Sequence, residues 1–209
     1  MSHKLLPRPV ALLLFTLVVH PDTGVGDLTT AQIRDLHAGR IANWRDVGGK
    51  DVPVRLVGRN TGSGTRRALE EHVLGSWQQG ANSVDCRTVG AGAQDGVVRC
   101  ERGSTREVLD TVAATPGALG YSEFGLATAT EGVVPVRING FEATTEGVDR
   151  GLYPFWETEI AYTYAVPQAD ALPASFLRYL TNQVGQDIIR ASGHRPCTEM
   201  ENPLLCRPE

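Results

Sequence analysis

Lysine is nearly missing from this chain: of 20 basic residues, only Lys4 and Lys50 are lysine. No excess of positive charge makes up for it. Acidic residues number 24 and the formal net charge is −4, so a global basic field of the kind that binds nucleic acid is excluded. Long apolar runs are missing too. The longest, "VALLLFTLVV" over residues 10–19, falls well short of the roughly 20 residues that cross a bilayer. No internal repeat and no long low-complexity tract is visible, which removes solenoids and disordered linkers. Cysteine is sparse. Its four residues include no C-x-x-C unit and no adjacent histidine, so neither zinc nor thioredoxin-like chemistry is indicated, and no metal or cofactor is expected.

What is present is ordinary for a soluble globular protein: 209 residues, 41% hydrophobic and 21% charged. That length supports one large domain or two small lobes with real cores. The cysteines fall into two close pairs, Cys86 with Cys100 and Cys197 with Cys206. Proximity favours these local pairings over the two other connectivities. Two short disulfide loops would place the protein in an oxidising compartment; the bland alternative is four reduced, partly buried thiols. The N-terminal "MSHKLLPRP" followed by the apolar run imitates a signal peptide, but no small-residue cleavage site follows. The β-branched and aromatic end of the run suits a buried parallel strand. On that reading an export signal is not part of these residues.

Further along, strand and helix patterns alternate, which predicts an α/β protein. "LTTAQIRDLHAG" reads as a helix capped by Thr29 or Thr30 and stopped by Gly39. Trp44 sits in a turn as an apolar anchor. "VPVRLVG" is a strand, and "SGTRRALEEHVLG" a helix with Leu69, Val73 and Leu74 inward. "STREVLDTVAATPG" is a helix with a capping box from Ser104 to Glu107. "ALGYSEF", "VVPVRING" and "EIAYTYAVP" are strands, and two helices joined near Gly185 close the chain.

The junction "GRNTGSGTRRALEEHVLG" carries the chemistry. A helix N-terminus offers unpaired N–H groups and a partial positive charge. Gly62 and Gly64 let a ligand approach the backbone, Ser63 and Thr65 add hydroxyls, and Arg59 adds a forked cationic donor. That set suits a tetrahedral oxyanion without a metal. The same residues read equally as a plain N-cap, and, more weakly, as a serine nucleophile at Ser63. The nucleophile reading lacks the flanking glycines of a G-x-S-x-G elbow, since positions 61 and 65 are threonine. It also lacks a base: His72 lies along the same helix and points away, while His20, His37 and His194 are isolated.

With its context, the segment from Leu28 to Gly75 resembles the phosphate-binding proteins of bacterial ABC transporters, a periplasmic-binding-protein-like family. The shared features are Gly39, Ile41 and Trp44, then Arg59, Ser63, Gly64 and Thr65 in an R-x-x-x-S-G-T loop. "VAATPGALGY" and "SFLRYLTNQVGQDIIRASGHRP" are similar to later parts of that family. Two positions depart from it: His37 replaces a phenylalanine, and Thr61 stands where phosphate-specific members carry an aspartate that orients the arginine. The resemblance implies a non-catalytic, exported solute-binding domain for inorganic phosphate or a related oxyanion. It implies binding in a cleft between two α/β lobes by Arg59, Ser63, Gly64 and Thr65, and an ABC transporter permease as protein partner. It also implies a complete lobe over 20–120, with 1–19 and 121–209 forming hinge strands and the C-terminal portion of a second lobe. The N-terminal part of that second lobe has no counterpart here, so its uncovered apolar surface predicts self-association. The alternatives are a sensory or docking module of a larger cell-surface protein and, less well supported, a serine hydrolase.

Overall fold

The computed structural model describes residues 5–90 and 96–206. The Gly-rich centre of the loop between Cys86 and Cys100 lies outside them. The described chain forms two compact units. One holds Phe15–Phe155 and the other the described residues of Met1–Leu14 and Trp156–Glu209. The predicted 20–120 segment lies wholly inside the first, which continues to Phe155.

The apolar run does form a strand, β1 (Leu6–Val19). Within the larger unit its end is antiparallel to both of its neighbours, β5 (Ala118–Glu123) and β6 (Val134–Ile138). The expectation of a parallel strand was wrong about direction. A continuous apolar run reports that both faces are covered, and it is silent on strand polarity. Here Leu17, Val18 and Val19 are all fully buried.

The sheet of this unit runs β2 (Asp27–Leu28), β6, β1, β5, β3 (Arg55–Arg59), β4 (Val98–Arg102). β3 is parallel to β5 on one side and to β4 on the other. β4 is a strand that the sequence pattern conceals, because "VRCER" is largely charged; Arg99 is nonetheless buried. Helix α1 (Thr30–His37) is capped by Thr29, with Gln32 completing a capping box. It places Ile33 and Leu36 in the core. Trp44 is fully buried and its indole N–H donates to the Gly117 carbonyl at 2.8 Å, so it anchors by packing and by a hydrogen bond.

Helix α2 (Gly64–Ala68) follows β3, and α3 (Thr105–Ala113) follows β4. α3 lies directly on the sheet: a Cβ on Gly120 of β5 would come within 2.7 Å of Val108 and 2.8 Å of Val112. Val108, Leu109 and Val112 meet Val18, Val57 and Cys100 in one apolar cluster, and each such side chain contributes about 1.5–3 kcal/mol by leaving water. The disulfide Cys86–Cys100 joins the same cluster, with Cα atoms 5.2 Å apart. Short helices α4 (Phe124–Thr128) and α5 (Thr145–Asp149) complete the unit.

In the smaller unit the first part of β1 pairs with β7 (Trp156–Thr163) and with β8 (Arg195–Pro196). Cys197 and Cys206 form the second disulfide. Helices α6 (Leu172–Thr181) and α7 (Gln183–Ala191) have apolar stripes, yet each buries a single small residue, Ala174 and Gly185. Phe176, Val184 and Ile188 are exposed. Among the described residues no helix is long and apolar enough to cross a membrane.

Candidate oxyanion site

The site is assembled at the carboxyl end of β3, where α/β sheets present ligands. β3 and β4 end level with each other, Arg59 opposite Arg102. The Asn60 amide donates to the Arg102 carbonyl at 3.1 Å and carries the pairing one residue further. The chain then reverses through Gly62, whose φ of +91° only glycine adopts without strain. Ser63 follows in extended conformation as the N-cap, its Oγ accepting from the Arg66 amide at 3.3 Å.

This cap leaves two donors over. Among the described residues, the amides of Gly64 and Thr65, the first two of the helix, have no hydrogen-bond partner. Ser63 and Gly64 keep surface exposure, while Thr65 is largely buried. Among the described residues the Arg59 guanidinium is held by one acceptor. Its Nη2 reaches the Gly103 carbonyl at 3.0 Å, and its Nε is buried without a protein partner. Arg59 thus closes β3, and Ser63, Gly64 and Thr65 open the helix that follows it. An open depression beside them is lined by Gly62, Ser63, Gly64, Arg67 and the exposed Trp77.

Two features differ from the sequence reading. The predicted α-helix is α only to Ala68. Residues Leu69–Leu74 form a π turn, closed by Gly75 in the left-handed region. Leu69, Val73 and Leu74 still point inward, so apolar periodicity gave no sign of the wider winding. Two adjacent arginines outside the apolar stripe of Leu69, Val73 and Leu74 have the pattern of exposed helix residues, yet only Arg67 is exposed. Arg66 retains 7% of its surface. Its Nε donates to Glu70 at 2.9 Å, and its Nη1 donates to Glu101 at 2.7 Å and to the Arg59 carbonyl at 2.8 Å. Burial opposes its charge, but the hydrogen bonds and charges of Glu70 and Glu101 outweigh that and raise its pKa.

Other residues escaped the sequence reading altogether. The Tyr121 hydroxyl on β5 accepts from the Arg59 amide at 2.8 Å and from the Gln78 side chain at 3.3 Å. Burial pushes its pKa up, against those two donors, so it stays a neutral phenol. Ser63 Oγ has no histidine partner among the described residues; its partner is the Arg66 amide. His37 is half-buried, with Nε2 shut off from solvent. Burial, with the Arg99 charge adding to it, lowers its pKa to about 4.

Residues 2–184 match the PBP superfamily domain, and the chain belongs to that superfamily. It is 30% identical over 201 residues to the phosphate-binding protein PstS of Bacillus subtilis (strain 168), aligning 96% of this chain with 60% of that protein. It is 24% identical over 178 residues to PstS of Borreliella burgdorferi, aligning 84% of this chain and again 60% of the relative. The chain therefore spans about 60% of the length of these curated relatives. Among solved structures, one assigned to a phosphate ABC transporter substrate-binding protein of Clostridium perfringens, with phosphate bound, superposes with a TM-score of 0.71 at 27% identity. It covers 92% of this chain and 72% of that one. An ABC-type phosphate transport receptor from Vibrio cholerae shares the fold, with a TM-score of 0.67 at 22% identity over 93% and 74% of the two chains.

Proposed function

We propose that this chain is the oxyanion-binding part of a solute-binding protein, that its ligand is inorganic phosphate, and that it binds without catalysing a reaction. The observation that carries this reading is the donor set at the end of β3. Two uncommitted helix amides and the hydroxyls of Ser63 and Thr65 stand at the start of α2, Arg59 closes the strand before it, and among the described residues no histidine partners Ser63 Oγ. Amides at a helix start and an arginine fork together match a tetrahedral dianion, whose charge the helix dipole also stabilises. Relatives named phosphate-binding proteins, and a neighbour holding phosphate, support that choice of anion. The protein partner is the permease of an ABC transporter, and the two disulfides suit a location outside the cytoplasm.

Calorimetric titration with phosphate, sulfate and a phosphomonoester tests the proposal. Saturable heat with phosphate that Arg59→Ala weakens supports it. Equal binding of all three anions by wild type and Arg59→Ala would sink it.

A further inference from the structure

Position three of a capped helix decides whether a side chain returns to the N-cap amide. In α1 and α3 that residue, Gln32 or Glu107, folds back and fills the cap. In α2 it is Arg66, which cannot accept a hydrogen bond and turns away from the helix start. Its guanidinium enters a closed set of contacts in the protein. It donates to Glu70 of its own helix, to Glu101 of β4 and to the Arg59 carbonyl. The Glu70 carboxylate that receives it also accepts from the Gln78 amide at 2.9 Å. The Gln78 side chain donates to Tyr121, and Tyr121 accepts from the Arg59 amide. The ring of contacts therefore begins and ends on Arg59, and holds its backbone from both sides.

We infer that Arg66 and Tyr121 are positioning residues of the oxyanion site, acting through Arg59. This rests on the phosphate reading above for its functional half. A strand's last residue normally loses its ladder partners and gains freedom. Here the Arg59 carbonyl and amide are each taken by a side chain that is itself buried, so the Cα–Cβ direction of Arg59 is set before any ligand arrives. The side chain adds one further contact, Nη2 to the Gly103 carbonyl just past β4. Preorganisation of this kind removes ordering cost from binding. Arg66 has a second effect. It covers the carboxylates of Glu70 and Glu101, which would otherwise stand unpaired beside a site for an anion.

Two measurements on the full chain decide it. The first needs no ligand: nuclear magnetic resonance of the Arg59 backbone amide and of its side-chain Nε–H. Tyr121→Phe, which deletes one oxygen, is expected to speed exchange of the Arg59 amide at least tenfold and to shift the Arg59 Nε–H resonance, with Val57 and Leu119 unchanged. The second is phosphate affinity. Tyr121→Phe and Arg66→Lys should each weaken it about threefold to tenfold, the value of one net hydrogen bond. In an Arg59→Lys background the same changes should weaken it no further. Arg45→Gln, an exposed arginine in the turn after α1, should alter neither readout. An unmoved Arg59 resonance in Tyr121→Phe overturns the inference, as does undiminished loss of affinity in the Arg59→Lys background. If wild type binds no phosphate, the functional proposal fails and the Arg59 resonances alone decide the positioning role.

Discussion

Two strand–helix junctions stand side by side in the larger unit, β3 to α2 and β4 to α3. Their strands are parallel neighbours that end level. Each helix opens with a serine cap, Ser63 or Ser104, accepting from the third amide at 3.3 and 3.2 Å. At the third residue they part. Glu107 turns its carboxylate onto the amides of Gly103 and Ser104, at 2.8 and 3.1 Å. α3 thereby neutralises its own positive end with a fixed negative charge and closes itself to anions. Arg66 carries its charge away into Glu70 and Glu101, and no acidic residue stands in the first turn of α2. The same cap thus serves stability alone in one junction and stability plus recognition in the other, and one residue type makes the difference.

The largest expected effect is on the frame that both junctions share. Cys100 lies on β4 opposite Val57 of β3, bonded to Cys86 across a separation of 14 residues. Replacing both cysteines with serine should lower unfolding stability by about 3 kcal/mol. Chemical denaturation with and without reductant measures it, and an unchanged midpoint would show that the bridge does not brace β4.

Arg59→Ala comes next, with about 1.5–3 kcal/mol lost from phosphate binding, the range for charge-assisted hydrogen bonds. Arg102→Ala, at the matching position of β4, should leave phosphate affinity within error. Calorimetry on the pair tells whether one junction binds or both do.

His37 sits beneath both strands, beside Gly58, Arg99 and Glu101. Its folded pKa of about 4 lies below the ordinary 6.5, so between those values the unfolded chain binds the extra proton. Its contribution is fully present above pH 6.5 and is lost as pH falls toward 4. We expect about 2 kcal/mol, discounted from the full shift because the residue keeps some surface. His37→Phe should flatten that limb of the stability profile, and a profile that keeps its slope would assign the effect to other groups.

Smaller still are the caps. Ser63→Ala and Ser104→Ala should each cost about 1 kcal/mol of stability. Only the first should also weaken phosphate binding; equal effects on binding would erase the distinction between the junctions. Glu107→Gln should cost about 0.3–1 kcal/mol, the worth of a charge near a helix start, and leave phosphate affinity alone. A gain of phosphate binding in that variant would show that α3 is closed only by its glutamate.

Much of this molecule was legible in its residues because the forces involved are local. A serine cap is satisfied three residues on, so Ser63 and Ser104 could be placed from spacing. Gly39 and Gly75 end their helices in the left-handed conformation that only glycine takes cheaply. The α/β alternation and the loop of Arg59, Ser63, Gly64 and Thr65 follow from the same short-range patterns.

What the sequence by itself determined is therefore the α/β class, both caps and the presence of an anion-suited loop, since each rests on neighbours within a turn or a strand. What only the tertiary structure decided is which of the two capped helices stays open, and how its arginine is held. Glu101 meets Arg66 across 35 residues, and Tyr121 meets the Arg59 amide across 62. No local pattern encodes those contacts; they exist because parallel pairing sets β4 and β5 on either side of β3. The direction of β1, the strand hidden in "VRCER" and the burial of Arg66 were settled in the same way. Each depends on what lies across the sheet, and a charged residue belongs in the interior only when distant partners arrive to neutralise it.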